Sequence, residues 1–138
     1  MKGFNNYTER EEFSIFKKFF LDHGRCKEMK KKEYFAEQGI VTTHAAYVEK
    51  GMFRYVCTDE NGCEHIVGYA FAGEYVGDYP QCIKKEKAIV SIQATTDSLI
   101  YYASAQEITN FFSTDKSTQE LEKILAEELF VQTYKRLL

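Results

Sequence analysis

The stretch MFRYVCTDENGCEHIVGYAF, residues 52–71, decides the class of fold. Two runs rich in β-branched and aromatic residues, 52–58 and 64–71, flank Asn61-Gly62, a strong signal for a type I′ turn. The pattern predicts an antiparallel hairpin with a two-residue turn, in which Glu60 pairs with Cys63 and Cys57 pairs with Ile66. Because side chains alternate along a strand, the two cysteines are expected on opposite sides of the hairpin.

Further short strands are predicted on both sides of this hairpin. Their sequences are AAYVEKG (45–51), AIVSIQAT (88–95) and SLIYYA (98–103). Turn signals recur at roughly 8 to 12 residues, which indicates an all-β sandwich or barrel rather than alternating βα units. Several strands alternate imperfectly, as expected for a rolled sheet with both faces partly covered.

A helix is predicted before the strands. Thr8 and Glu11 form a capping box, T-x-x-E, and Gly24 offers a C-terminal stop. The helix is expected from about Glu9 to His23. Its apolar residues recur at near-helical spacing: Phe13, Ile15, Phe16, Phe19 and Phe20.

Two more helices are predicted after the strands. Ser104 and Glu107 form a capping box that opens a short helix ending near Phe112. Ser117 and Glu120 form another at the head of a long helix that runs to the last residue of the sequence. That helix ends without a glycine, proline or polar cap, so the sequence is expected to be part of a longer protein.

The long helix is more apolar than one packing stripe requires, which predicts a second copy of the chain as partner. The alternative is a helix buried wholly within its own domain. The candidate dimer-interface residues are Leu121, Ile124, Leu125, Glu128, Val131, Gln132, Lys135 and Leu138.

Composition limits the classes of function. The chain has 138 residues, 44% apolar, with 21 Phe or Tyr, enough for the core of one domain. A formal net charge of −3 gives no reason to expect this chain alone to hold nucleic acid, and the basic run of residues 25–33 is interpreted as a solvated strand edge. No signal peptide or membrane-spanning run is present, so a soluble cytoplasmic protein without a membrane partner is expected.

The four cysteines lack the spacing of a zinc site or disulfide scaffold, and are expected to be reduced and mostly buried. Three single histidines, His23, His44 and His65, give weak support for a metal site. No cofactor is predicted. No nucleophile or nucleotide-hydrolysis motif is present, so the protein is not expected to be an enzyme.

The order of elements and four landmarks resemble a known family. The landmarks are Gln38-Gly39, YVEKG (47–51), DENG (59–62) and GEYVGD (73–78). Together they look like the cyclic-nucleotide-binding-domain fold, in particular the sensor half of Crp/Fnr-family bacterial transcription regulators, over about Phe13 to Leu138. The resemblance implies a mainly β protein with flanking helices, a double-stranded β-helix (jelly roll or β-roll), with an N-terminal helix and a long C-terminal dimerisation helix.

The same resemblance implies separate regions for sensing, dimerisation and DNA binding. Residues 1–115 would form the sensor domain and residues 116–138 the start of the dimerisation helix. A helix-turn-helix domain would follow, which this sequence does not include. The implied partners are a second copy of the chain, DNA only through that missing domain, RNA polymerase, and an effector whose identity is left open.

The resemblance also places a ligand pocket. In cyclic-AMP-binding members, a glycine-containing loop supplies a glutamate to the ribose, and an Arg-Ser pair about ten residues later takes the cyclic phosphate. Here Asp78 stands at the glutamate position, and Ala88 and Ile89 stand at the Arg and Ser positions. The candidate pocket residues are Gly73, Tyr75, Val76, Gly77, Asp78, Tyr79, Ala88 and Ile89.

Cyclic AMP is not the expected ligand, because alanine cannot replace the charge and geometry of a guanidinium on phosphate. The nearby Lys84, Lys85 and Lys87 are interpreted as a solvated turn. A sensor for another effector, or one without ligand control, is predicted. The alternatives are a stand-alone small-molecule-binding β-roll module and a cupin-like metalloenzyme.

Overall fold

A computed structural model describes residues 11–113 and residue 120. Strands dominate the middle of the chain, with one helix before them, one between them and one after them. In chain order the elements are α1 Glu11–His23, β1 Arg25–Met29, β2 Tyr34–Ala36, β3 His44–Lys50, β4 Met52–Thr58, β5 Glu64–Phe71, β6 Tyr75–Val76, α2 Tyr79–Lys84, β7 Ser91–Ala94, β8 Ser98–Ser104 and α3 Ala105–Phe112.

The strands form two four-stranded antiparallel sheets that enclose an apolar core. The first sheet has the order β1-β8-β3-β6 and the second β2-β7-β4-β5. Both sheets contribute to the core between them, for example through Val48 and Ile100 of the first sheet and Phe53 and Ile92 of the second. The predicted mainly β fold with flanking helices is confirmed.

A second apolar cluster lies on the other face of the first sheet. Phe16 and Phe20 of α1 and Phe112 of α3 pack there with Tyr47 of β3 and Tyr75 of β6. Strand β3 is therefore covered on both faces, which explains why its apolar residues run consecutively instead of alternating.

The end of α1 and the start of α3 have the predicted caps. Helix α1 ends at His23, and the N–H of Gly24 donates to the carbonyl of Phe20 at 2.8 Å. At the start of α3, the Ser104 hydroxyl accepts from the Glu107 N–H, and the Glu107 carboxylate accepts from the Ser104 N–H, both at 3.0 Å. The predicted capping box is confirmed.

Other predicted features lie outside the described residues. They are the Thr8 cap, the head of the long helix at Ser117, and the eight candidate dimer-interface residues between Leu121 and Leu138. Among the residues that are described, no helix combines the length and apolar content needed to cross a bilayer.

The predicted register of the β4–β5 hairpin is correct for only half of its length. Met52 pairs with Phe71 as the two-residue turn requires, but a bulge opposite Tyr55 and Val56 shifts the pairing by one residue. Cys57 therefore pairs with His65, and Asp59 faces Cys63 across a three-residue loop. The predicted pairing of Cys57 with Ile66 is wrong, and the two cysteines lie on the same side of the hairpin.

The expectation of mostly buried cysteines is also wrong. None of the four forms a disulfide, but only Cys82 is buried, whereas Cys57 is half-buried and both Cys26 and Cys63 are exposed. Cys26 lies on β1, at the edge of the first sheet, and Cys63 follows the hairpin loop, so neither position is covered by another element. The basic run around β1 is exposed on this edge as predicted, with Met29 as its one buried residue.

Candidate effector-binding site

The site begins with a tight turn after β5. The Phe71 carbonyl accepts from the Glu74 N–H at 2.9 Å, and the Glu74 carboxylate accepts from the Phe71 N–H at 2.8 Å. The Gly73 N–H donates to Val48 of β3 at 2.8 Å, and Gly73 has a φ of +91° with open space where a Cβ would be. Gly73 thus allows the backbone to make this turn, because glycine adopts a positive φ readily.

Tyr75 and Val76 of β6 point into the two cores rather than into one pocket. Val76 is fully buried between the sheets. The Tyr75 ring packs 5.1 Å from Phe16 and 5.4 Å from Tyr47 in the helical cluster. Burial raises the pKa of the Tyr75 phenol well above its ordinary value, so this side chain stays neutral. Strand β6 therefore anchors the loop that follows it.

Gly77 and Asp78 connect β6 to helix α2. The Gly77 N–H donates to the Tyr55 hydroxyl of β4 at 3.3 Å in a buried position. The Asp78 carbonyl accepts from the Cys82 N–H at 2.8 Å and so opens α2. A backbone N–H that could have faced an anion is thus already bonded within the protein.

The Asp78 carboxylate bonds to the protein's own backbone. Asp78 is 0% exposed, and its Oδ2 accepts from the Ile89 N–H at 2.7 Å. Burial raises the pKa of this carboxyl, while hydrogen bonds from the backbone N–H groups of Ile89 and Val90 act in the opposite direction. Oδ1 has no hydrogen-bond partner in the described part of the chain. Asp78 thereby ties the start of α2 to the segment that leads into β7.

The connection from α2 to β7 ends the helix in a tight backbone cap. Lys85 has a φ of +56°, its N–H donates to Cys82 at 3.3 Å, and the Glu86 N–H donates to Gln81 at 2.9 Å. The side chains of Lys84, Lys85 and Lys87 are all exposed, which confirms the predicted solvated turn.

Ala88 and Ile89 have different surroundings. Ala88 is buried, and its backbone bonds both to the Ile40 carbonyl at 2.9 Å and to the Gly39 N–H at 2.8 Å. Ile89 is 44% exposed. The structure thus brings Asp78 against the Ile89 backbone at the positions where the resemblance places the ribose and phosphate contacts. The Tyr79 side chain is not among those described.

Two hydrogen bonds in this site were not predicted from the sequence. The Tyr55 hydroxyl and the Ile89 N–H reach Gly77 and Asp78 from positions 22 and 11 residues away. A backbone N–H is present at nearly every position, so it carries no sequence signal. Tyr55 gave none either, because a buried tyrosine in a strand is interpreted as core.

The three histidines lie on separate elements: His23 on α1, His44 on β3 and His65 on β5. Within the described residues there is no group of three His, Cys, Asp or Glu side chains that could hold a metal ion. His44 bonds to the Thr43 hydroxyl at 2.8 Å, and His65 pairs with Asp59 at 2.8 Å.

Comparison with known proteins identifies the family. The model of the cyclic nucleotide-binding domain matches residues 26–115, and the chain therefore belongs to this family. The match includes helix α2, helix α3 and both sheets except Arg25, the first residue of β1. A comparison with curated protein sequences finds no match.

Solved structures share the fold at low sequence identity. The c-di-GMP responsive global regulator CLP of Xanthomonas campestris matches with a TM-score of 0.72 and 21% identity, over 90% of this chain and 59% of CLP. The sensor domain of the regulator DNR of Pseudomonas aeruginosa matches at 0.70 and 14%, over 95% and 88%. The catabolite activator protein of Thermus thermophilus matches at 0.65 and 16%, over 92% and 54%. This chain thus spans little more than half of two of these proteins.

The charge state of Asp78 gives a testable pH dependence. Because folding raises the pKa of this carboxyl, its contribution to stability is fully present below the unfolded-state pKa, about 4, and is lost as pH rises through the folded-state pKa. Asp78→Asn keeps an oxygen that can accept from the Ile89 N–H but does not titrate. The free energy of unfolding of the wild type, minus that of the variant, should fall as pH rises above about 4 and through the folded-state pKa.

Urea unfolding of both proteins at matched pH values measures this difference. Because all other titrating groups are shared, their effects cancel in the subtraction. A difference that stays constant, or that grows in favour of the wild type as pH rises, would show that Asp78 does not have a raised pKa.

Proposed function

We propose that this chain is the sensor and dimerisation part of a Crp/Fnr-like bacterial transcription regulator that does not respond to cyclic AMP. The protein would act in the cytoplasm without catalysis of its own. DNA binding would reside in a further domain, and contact with RNA polymerase would depend on that DNA-bound state.

Family membership and fold support the regulator part of the proposal. The cyclic nucleotide-binding domain is a sensor module, and three regulators share this chain's fold. Because the chain covers 59% of CLP and 54% of the Thermus protein, a regulator of that kind would carry a further domain. The apolar residues predicted on the long helix of residues 116–138 support a homodimer as its working form.

The hydrogen bond between Asp78 and Ile89 supports the proposal that the chain does not respond to cyclic AMP. Ile89 occupies the position that the resemblance gives to the phosphate-binding serine, and its N–H already donates to a carboxylate of this chain at 2.7 Å. A cyclic phosphate brought to the same amide would have to displace the Asp78 oxygen from it. With Ala88 at the arginine position, that residue supplies no cation to hold the phosphate in its place.

An effector, if one binds near Asp78, would act by shifting the population of dimer geometries. Helix α2 links the site to the helical cluster, because Cys82 of α2 is buried with Phe112 of α3. Helix α3 directly precedes the segment that leads into residues 116–138. A change at the site would thus reach α3 through packed side chains.

Calorimetric titration with cyclic AMP tests the proposal. We expect no saturable heat up to about 1 mM ligand. A dissociation constant above about 1 mM corresponds to a binding free energy of less than about 4 kcal/mol in magnitude. A thermal unfolding scan of the same samples gives an independent measurement. A ligand at 100 times its dissociation constant would stabilise the fold by about 2.7 kcal/mol and raise the melting temperature by several degrees. Micromolar binding of cyclic AMP would overturn the proposal.

A further inference from the structure

A second site lies on the outer face of the sheet β2-β7-β4-β5 and shares no residue with the Asp78 site. Arg54 of β4 pairs with Gln93 of β7, and both alternate with core residues such as Phe53 and Ile92, so they lie on the outward face. Here a cleft of about 300 Å³ is lined by Lys31, Lys32, Arg54, Gln93, Ala94 and Thr95. Three of these six residues carry a positive charge.

Gln93 bonds both to Arg54 and to the turn at Lys31 and Lys32, here called the lysine turn. It is 9% exposed, its Oε1 accepts from the Arg54 Nε at 2.8 Å, and its Nε2 donates to the Lys32 carbonyl at 2.9 Å. Only one of the five N–H donors of the guanidinium is used by this bond. In the described residues Arg54 makes no other side-chain hydrogen bond, so its two terminal nitrogens are available to a ligand.

The lysine turn has an unusual backbone conformation. Lys32 has a φ of +79°, which is uncommon for a residue with a side chain. The turn is fixed by the Lys32 N–H donating to Ala94 at 2.8 Å and by the Ala94 N–H donating to Glu33 at 2.9 Å. Backbone conformations of this kind are often found at functional sites. This one keeps Lys31 and Lys32 beside the strand that carries Gln93.

The neighbouring carboxylates are bonded to backbone groups. Asp97 accepts from the Lys31 N–H at 2.9 Å, and Glu33 accepts from the Lys30 N–H at 2.6 Å. Arg25 pairs with Glu107, and His65 pairs with Asp59, so neither of these contacts involves a cation of the cleft. Three basic residues therefore line one cleft, and none of them is ion-paired with a carboxylate among the described residues.

We propose that this cleft binds a small, multiply charged phosphate anion, such as pyrophosphate or the diphosphate of a nucleotide. The planar fork of Arg54 suits two phosphate oxygens at once, and two ammonium groups supply further charge. The cleft has room for a diphosphate. The proposal does not depend on the function proposed above, because a phosphate site here could exist whether or not the chain is a regulator.

Calorimetric titration with pyrophosphate at low ionic strength tests the site. We expect a dissociation constant below about 1 mM, and binding that weakens as salt is added. Arg54→Gln should weaken binding about tenfold or more, because a hydrogen-bonded charge pair is lost. Lys32→Asn should weaken it too, since asparagine tolerates a positive φ but carries no charge. Lys18→Gln removes one exposed charge from α1 and should change binding by less than about twofold.

Two controls distinguish a loss of binding from a loss of folding. Far-UV circular dichroism shows whether each variant is folded, and Lys31→Gln provides a second variant at an exposed position if Arg54→Gln does not fold. Absence of pyrophosphate binding, or equal binding by the wild type and the folded cleft variants, would overturn the proposal. Tighter binding of a single-stranded oligonucleotide than of pyrophosphate would overturn the assignment to a small anion.

Discussion

Phe16→Ala is expected to lower the free energy of unfolding by about 3–5 kcal/mol, the cost of removing a fully buried aromatic ring. The Phe16 ring lies 5.2 Å from Phe20, 5.1 Å from Tyr75 and 5.5 Å from Phe112, so it joins α1 to β6 and α3. Since domains of this size have about 5–15 kcal/mol of stability in total, the loss would be a large fraction. Urea unfolding followed by far-UV circular dichroism measures it, as the chain has no tryptophan.

Ile15→Ala is the matched control for this prediction. Ile15 precedes Phe16 on the same helix but is 43% exposed, so its truncation should cost about 0.5 kcal/mol or less. Because alanine favours helix at both positions, the difference between the two variants reports the burial of the ring and not helix propensity. Equal effects of the two substitutions would mean that α1 does not dock on the sheet as described.

The cluster around Phe16 also bears on the candidate site. Tyr75 lies three residues before Asp78, and Cys82 of α2 belongs to the same cluster. Loosening the cluster would therefore disturb both ends of the loop that holds Asp78. The cluster therefore connects the site to α3 through packed side chains.

Local sequence patterns were sufficient to predict most of the elements. Strands β4 and β5 begin and end at the predicted residues, and α3 begins at its predicted cap. These elements have strong β-branched or aromatic runs or a capping box, which act through neighbouring residues. Strands β2 and β6 were not predicted because they have three and two residues, too few for a periodic pattern.

The hairpin register could not be predicted from its turn residues. Asn61-Gly62 favours a two-residue turn. However, β5 has one extra residue at the bulge opposite Tyr55 and Val56, so the pairing between this bulge and the turn shifts by one residue. The loop then has three residues, with Gly62 at a φ of +82°. A bulge of this kind depends on how the hairpin bends over the core, which is a property of the whole sheet.

The candidate sites depend on contacts across the fold, and sequence indicated them only in part. The resemblance directed attention to Asp78 and Ile89, but the bond between them depends on the path of α2. The pairing of Arg54 with Gln93 joins residues 39 positions apart on two strands. Arginine and glutamine on exposed strand faces are common, so only the sheet register reveals that these two meet.

Gly51→Ala is expected to lower the free energy of unfolding by about 2–4 kcal/mol, through backbone strain and a clash together. Gly51 lies between β3 and β4, where the chain passes from one sheet to the other, and has a φ of +103°. A methyl group at this position would overlap the side chain of Ser98 and approach the Ser98 backbone to 2.8 Å. Ser98 cannot easily move away, because its hydroxyl donates to the Thr96 carbonyl at 2.9 Å and β8 continues from it.

Gly62→Ala separates the two causes. Gly62 has a similar positive φ, +82°, but nothing lies within 4 Å of the position that its Cβ would take. This control should therefore show only the cost of the backbone conformation, about 1–2 kcal/mol, and the excess loss in Gly51→Ala should measure the overlap with Ser98. Adding Ser98→Ala to Gly51→Ala removes the overlap with the hydroxyl but leaves the overlap with Cβ and the backbone, so it should recover part of the excess. If both glycine variants lose the same stability, conformational freedom alone explains the YVEKG landmark; if Gly51→Ala loses more, the landmark marks the close passage of the chain over Ser98.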